Sequence, residues 1–149
     1  MQKLSYFFAS GASDIQDAYS IRMEVFTREQ SVPSEEEIDE NDAGALHLLA
    51  REGSLPVATA RLFFPVPEEA CIGRMAVLKH YRRRGIGRKL IELLCREAKG
   101  RGASRAVLHA QWQARPFYFA CGFQEVGVPF MEANIKHITM EKTLQEGQA

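Results

Sequence analysis

Arg82-Arg83-Arg84-Gly85-Ile86-Gly87-Arg88-Lys89-Leu90 is the stretch around which the rest of the chain is organised. Two glycines one residue apart let the backbone turn sharply and approach a ligand with no Cβ in the way. An apolar-periodic segment follows at once: Leu90, Ile91, Leu94, Cys95 and Ala98 share one helical face, and Glu92, Arg96, Lys99 and Arg101 tend to the other. The first N–H groups of such a helix have no intrahelical partner, and with the positive end of the helix dipole they make a seat for phosphate. A basic surface turn entering an ordinary helix would carry the same arginines. The paired glycines, placed between a strand and a helix, favour an anion cradle.

The flanking elements follow from periodicity. Residues 3–8 form an apolar and aromatic strand that ends at Ala9-Ser10-Gly11. Ile15, Ala18, Ile21 and Val25 recur at helical spacing, predicting a helix to residue 26 or 27 that Ser13 or Asp14 caps. Residues 28–42 are strongly acidic and hold a proline. They read as a solvated loop or short helix, with the alternative that one carboxylate lines a pocket and receives a cationic amine. Residues 47–51 and 57–64 form a hairpin across Glu52-Gly53-Ser54-Leu55-Pro56. In its second strand Val57, Thr59, Arg61 and Phe63 face one way and Ala58, Ala60, Leu62 and Phe64 the other. Residues 71–78 are the strand that delivers the chain to the turn. Gly100 and Gly102 stop the following helix. A strand at 106–110, a two-turn helix at 114–120 and strands at 123–126 and 138–141 complete the order. The expected fold is α/β, an α+β mixed sheet: strand, helix, short helix or loop, three strands, helix, strand, helix, two strands. It occupies one domain over residues 1–149, with about 143–149 a loose tail.

Charge is segregated along the chain. Lysines and arginines balance acids at 19 each, yet residues 1–73 carry net −8, residues 74–105 net +9 and residues 106–149 net −1. A basic middle in an acidic chain points to one local anionic ligand rather than a long polyanion, so no nucleic acid partner is expected. Three cysteines without metal-type spacing suit a reduced, cytoplasmic setting, and the four histidines show no metal-ligand pattern, so no metal is expected. No run approaches the roughly 18 apolar residues of a membrane span.

Two phosphate loops fail on spacing. Gly85-Ile86-Gly87-Arg88 lacks the P-loop spacing and its Ser/Thr, and Leu90 stands where the dinucleotide fingerprint needs its third glycine. The pattern Arg/Gln-x-x-Gly-x-Gly/Ala does match Arg82 to Gly87, and it resembles the coenzyme A loop of the GNAT superfamily of N-acetyltransferases. Downstream, Ala114-Arg115-Pro116-Phe117-Tyr118-Phe119-Ala120-Cys121-Gly122-Phe123 resembles that superfamily's Ala-x-x-Phe-Tyr-x-x-x-Gly-Phe segment. Within it, Val25-Phe26-Thr27-Arg28-Glu29-Gln30-Ser31-Val32-Pro33, Ile72-Gly73-Arg74-Met75-Ala76-Val77 and His137-Ile138-Thr139-Met140 are similar to the ElaA-like group.

The resemblance implies a GNAT acyl-CoA N-acyltransferase fold and a role for each part. Acetyl-CoA would be the acyl donor, its pyrophosphate held by Arg82, Arg83, Arg84, Gly85, Ile86, Gly87 and Arg88. The strand Met75, Ala76, Val77 would pair with the pantetheine arm and present an N–H to the oxyanion. Gln111, where many relatives have Asn, would meet the pantetheine, Phe117 would line the coenzyme A site while packing beside the acid, and Tyr118 would protonate the departing thiolate. Some relatives carry a glutamate base on the strand before the loop, and this strand has none. His47, His109, Glu132 and His137 are the candidates, with Glu132 and His137 preferred because they lie in the ElaA-like segment. The acceptor would be a small-molecule or peptide amine, and a homodimer is common in the superfamily. Two other readings stand beside this one: a catalytically silent coenzyme A binder, and a module that docks RNA phosphates on residues 79–105.

Overall fold

The structure, a computed structural model, describes residues 3–144. Its strands are β1 (Leu4–Phe8), β2 (Leu46–Glu52), β3 (Leu55–Val66), β4 (Glu69–Val77), β5 (Arg105–Gln111), β6 (Gln124–Glu132) and β7 (Ile135–Thr143). They form one seven-stranded sheet in the order β1-β2-β3-β4-β5-β7-β6. Only β4 and β5 run parallel; the chain reaches β5 from β4 through the longest helix, and every other neighbour is antiparallel. The helices are α1 (Ala12–Arg22), α2 (Ser34–Glu37), α3 (Ile86–Gly100) and α4 (Arg115–Ala120). The expected mixed α/β order is the observed one.

Each face of the sheet carries its own core. α3 buries Ile86, Leu90, Ile91, Leu94, Cys95 and Ala98 in a cluster with Ala60, Leu62, Ala106, Leu108 and Ala110 of the sheet. On the opposite face Ala18 and Ile21 of α1, with Val25, close over Leu49 and Ala76. The alternation of Leu48 and Leu49 between the two clusters is the period of two that a sheet covered on both faces demands. No helix among the described residues is long and apolar enough to cross a membrane.

Three sequence expectations need correction. α1 begins earlier than Asp14, at Ala12 behind Gly11, whose φ of 100° no side-chain cap accompanies; Asp14 instead accepts the Ser10 N–H at 2.9 Å. The helix also continues as a π-helical segment, Met23–Glu29. The final strands are longer than 123–126 and 138–141, because Gly127 (φ 81°) and Pro129 occupy a bulge between Val126 and Phe130 instead of ending β6. At the C-terminus Thr143 belongs to β7, and Leu144 is buried with its N–H on the Ser104 carbonyl at 2.9 Å. The expected tail therefore starts no earlier than residue 145, and residues 145–149 lie outside those described.

The acidic stretch departs furthest from expectation. Glu37 and Asp42 are not solvated but buried, and they surround the Arg22 guanidinium: Nε to Glu37 Oε2 at 2.6 Å, Nη1 to Asp42 Oδ1 at 2.8 Å, Nη2 to the Glu37 carbonyl at 3.0 Å. Arg61 of β3 adds Asp39 at 2.7 Å and Asp42 at 3.1 Å, and Arg74 of β4 adds the Glu37 carbonyl at 2.9 Å and Asp39 at 3.1 Å. Three cations and three carboxylates cancel inside the fold, which is what makes their burial tolerable. Burial pushes Asp42 up, but hydrogen bonds from Arg22, the Asp39 backbone and Arg61 outweigh it and hold the carboxyl well below the usual range.

Replacing Arg22 with leucine removes the central cation and leaves Asp42 to Arg61 and Glu37 to Arg74 alone, and a loss of about 3–5 kcal/mol in urea denaturation at pH 7 is expected. Because Asp42 titrates below its unfolded value, its contribution is complete above about pH 4 and is lost on acidification. The gap between wild type and Arg22→Leu should therefore narrow as pH falls through the acid range.

Candidate active site

The site begins where two strands part. β4 and β5 are paired only over Glu69–Ile72 and Arg105–Leu108. Beyond that, β4 stays on β3 through Thr59↔Ala76 and Ala58↔Val77, while β5 stays on β7 as far as Gln111↔His137. Where they diverge, Arg74 takes a φ of 51° and two residues of β4, Arg74 and Met75, oppose one of β3, Ala60, a bulge that turns the strand away. A cavity of about 550 Å³ fills the gap, walled by Arg74 and Met75 of β4, His109 and Gln111 of β5, Tyr118 of α4, and residues of the acidic segment including Glu36 and Asp39.

At one end of the gap lies the arginine-glycine turn. Arg83 (φ 64°) and Gly85 (φ 82°) bring the chain into α3, whose first hydrogen bond runs from the Lys89 N–H to the Gly85 carbonyl at 3.1 Å. The N–H groups of Ile86, Gly87 and Arg88 precede that bond and lack i−4 partners. The arginines are not equivalent. Arg82 holds the Val77 carbonyl through Nε at 2.8 Å and Glu29 through Nη2 at 2.7 Å. Arg84 lies over the Tyr81 ring, and Arg88 reaches the Ala120 carbonyl at 3.4 Å. Ile86 offers only its backbone, since its side chain is in the core. Gly87 has a steric purpose: a Cβ there would stand 3.3 Å from Phe117 Cζ and 3.7 Å from Met75 Cε. Phe117 thus seats α4 on the first turn of α3.

Tyr118 faces the cavity with Phe117 and Phe123 edge-on at 5.0 and 6.1 Å. Burial, with a small contribution from Cys121, raises its phenol well above the ordinary tyrosine value. A lowered tyrosine pKa is therefore not how this site would meet a thiolate. Gln111 donates to Gln30 Oε1 at 2.9 Å, bridging from β5 to the end of the π-helical segment.

The remaining sequence candidates separate. His47 lies away from the cavity, buried against Tyr19 with Nε2 3.1 Å from the Asp42 carbonyl, and burial lowers its pKa. Glu132 and His137 both line the cavity, but they are not partners. Glu132 Oε1 is 2.9 Å from His109 Nδ1, and His137 uses Nδ1 on the Ile135 carbonyl at 2.7 Å. Phe130 stands between the two imidazoles, stacked on His137 and edge-on to His109. The His109 pairing is the part that sequence reading missed. Its signal was the two-residue step from Val107 through His109 to Gln111, which sets all three on the face opposite the buried Ala106, Leu108 and Ala110. Arg22, Arg61 and Arg74 were equally invisible as a group, because their partners are far away in sequence. Among the described residues no group of three or more His, Cys, Asp or Glu is placed to hold a metal ion.

This arrangement has known counterparts. Residues 13–144 match the family Acetyltransferase (GNAT) domain. The chain belongs to the GNAT acetyltransferases. It is 36% identical over 135 residues to the uncharacterized N-acetyltransferase YjcF of Bacillus subtilis, covering 90% of this chain and 96% of that one. An acyl-CoA N-acyltransferase from Pseudomonas aeruginosa superposes with a TM-score of 0.85 at 27% identity, covering 94% and 99% of the two chains. ElaA from Escherichia coli superposes at 0.81 with 25% identity, covering 95% and 99%. The protein is thus an acyltransferase with a GNAT fold, and ElaA is among its structural relatives.

For this GNAT chain the two loop glycines fail differently. Gly85→Ala meets no neighbour within 4 Å but must hold a φ of 82°, costing about 1–2 kcal/mol. Gly87→Ile collides with Phe117 and should cost about 1–3 kcal/mol. Urea denaturation gives both values, and near-ultraviolet circular dichroism should report a disturbed aromatic cluster for Gly87→Ile alone.

Proposed function

We propose that the chain moves an acetyl group from acetyl-CoA to a primary amine by direct attack in a ternary complex. The observation that carries this is the open edge of β4 beyond Ile72, which leads to the unbonded N–H groups at the start of α3. An extended pantetheine arm fits a strand edge, and a pyrophosphate fits a helix N-terminus, so one ligand can satisfy both. The name of the Pseudomonas relative supports an acyl-CoA donor, and that of YjcF supports a nitrogen acceptor.

In this reading the thioester lies beside Met75 to Val77. The Leu78 N–H bonds the Val57 carbonyl at 2.9 Å, so strand alternation turns the Val77 N–H to the open edge, toward the developing oxyanion. The amine attacks the carbonyl carbon, the C–S bond breaks, and Tyr118 gives its proton to the sulfur. Reference values of about 10 for tyrosine and about 8.5 for a thiol make that transfer uphill by roughly 2 kcal/mol, and burial of Tyr118 widens the gap. Proton transfer must therefore accompany C–S cleavage rather than follow it. The raised phenol has a use: it keeps Tyr118 protonated around neutral pH. Glu36, whose carboxylate carries no arginine, and Glu132 give the acceptor side a negative character suited to an ammonium group. Three free thiols suit a cytoplasmic site of action.

Calorimetry should find micromolar binding of acetyl-CoA and no salt-steep binding of RNA; the reverse result removes the reading. An acetylation screen over polyamines, amino acids, aminoglycosides and lysine peptides then identifies the amine. With that amine, Tyr118→Phe should lower kcat by about 100-fold while donor binding stays within about twofold. Unchanged turnover would show that Tyr118 is not the acid.

A further inference from the structure

Three strands bring chemistry together on the acceptor side of the cleft. His109 follows Leu108, the last β5 residue paired with β4, so it is the first β5 residue on the separated part. Its ring projects into the cavity and is half-exposed. Glu132 reaches it from the end of β6, with 2.9 Å between Oε1 and His109 Nδ1. A carboxylate can only accept, so Nδ1 carries the hydrogen and Nε2 is left with a lone pair.

The pair is rigidly built. Glu132 precedes a two-residue turn in which Ala133 and Asn134 take φ of 51° and 63°, both in the left-handed region. A turn of this hand joins twisted antiparallel strands closely, and it fixes where β6 ends. Phe130, two residues back on the same strand, lies edge-on to His109 at 5.0 Å and stacks on His137 at 5.9 Å. His137 is buried beneath it with Nδ1 held by the Ile135 carbonyl. The His109 hydrogen bond lowers the Glu132 pKa, keeping that carboxylate charged.

We infer that His109 is the base that takes a proton from the acceptor ammonium, and that Glu132 is the residue that positions it. This rests on the acetyl transfer proposed above. The acceptor arrives as R–NH3+ and gives one proton to His109 Nε2. The free amine attacks the thioester carbon, forming the C–N bond as the carbonyl becomes an oxyanion. When the C–S bond breaks, the sulfur takes the Tyr118 proton, and a second proton leaves the nitrogen to restore Tyr118. His109 returns its proton to water through its exposed edge. The charged and titratable groups facing the His109–Glu132 pair are His137 from β7, across Phe130, and Arg74 from β4, which acts on Glu132.

Two measurements test it, and one needs no acceptor. Nitrogen-detected NMR of the histidine rings at neutral pH should show His109 with its proton on Nδ1, and Glu132→Ala should abolish that tautomer preference. A proton on Nε2, or a tautomer indifferent to Glu132→Ala, overturns the positioning role. With the amine from the screen, His109→Gln should lower kcat/KM by about 100-fold at pH 7. It should then recover roughly tenfold per pH unit on the alkaline side, because only amine already deprotonated in solution reacts. Glu132→Ala should lower kcat while acetyl-CoA binding holds within about twofold. A His109→Gln profile that superimposes on wild type sinks the base assignment. Acetyl-CoA calorimetry on each variant separates the two readings: no donor binding by wild type ends the acetyl-transfer reading, whereas donor binding with an unaltered profile ends only that of His109.

Discussion

A strand edge inside a protein carries N–H and C=O groups that must find partners, and this fold leaves one such edge open. β4 and β5 lie side by side for four residues and then separate, because each remains faithful to its other neighbour. The bulge at Arg74 makes the separation abrupt. Everything that bears on the chemistry is arranged around that opening: the start of α3 at one end, Tyr118 from α4, and the imidazoles of β5 and β7 on the far wall. The sheet thus supplies both rigidity and vacancy, and a ligand that completes the missing ladder is the natural occupant.

The second wall is made differently. Residues 30–42 contribute no strand to the sheet, and they are drawn onto it by Arg22, Arg61 and Arg74. Ion pairs on an exposed surface would hold such a segment weakly. Here the central pair is sealed from water, and each carboxylate oxygen of Asp39 faces a different arginine. Balanced charge explains why so acidic a stretch can close over an apolar sheet. It also explains why the overall charge of the chain is uninformative about the site.

The legible parts of this sequence were those written in short-range pattern. Gly85 and Gly87 announced their turn, since a φ of 82° and a 3.3 Å approach of Phe117 are demands that glycine meets locally. The period of α3 named its buried face, and Phe117-Tyr118 fell at the spacing the loop implied. What could not be read were contacts set by topology. Glu37 finds Arg22 15 positions away and Arg74 37 positions away, and Glu132 finds His109 across 23. Two local signals also misled. Gly127 and Pro129 look like strand breakers but mark a bulge, and Ala133-Asn134 forms a tight hairpin turn without the glycine that usually advertises one. Because the end of β6 was hidden, the partner of His109 was hidden with it.

The acidic segment has a consequence for how such a chain diverges. Its anchors, Glu37, Asp39 and Asp42, are interspersed with exposed positions, Glu36, Ile38 and Glu40, where only the Glu36 carbonyl, through Arg74, helps to hold it down. Glu36 nonetheless reaches the cavity. Selection can therefore rewrite the exposed side chains on that side of the cavity without touching the contacts that keep the wall in place, while Gly85 and Gly87 at the opposite end are constrained by backbone conformation and by Phe117. Descendants of one ancestor could keep the fold and its loop and change what the cavity admits one exposed residue at a time.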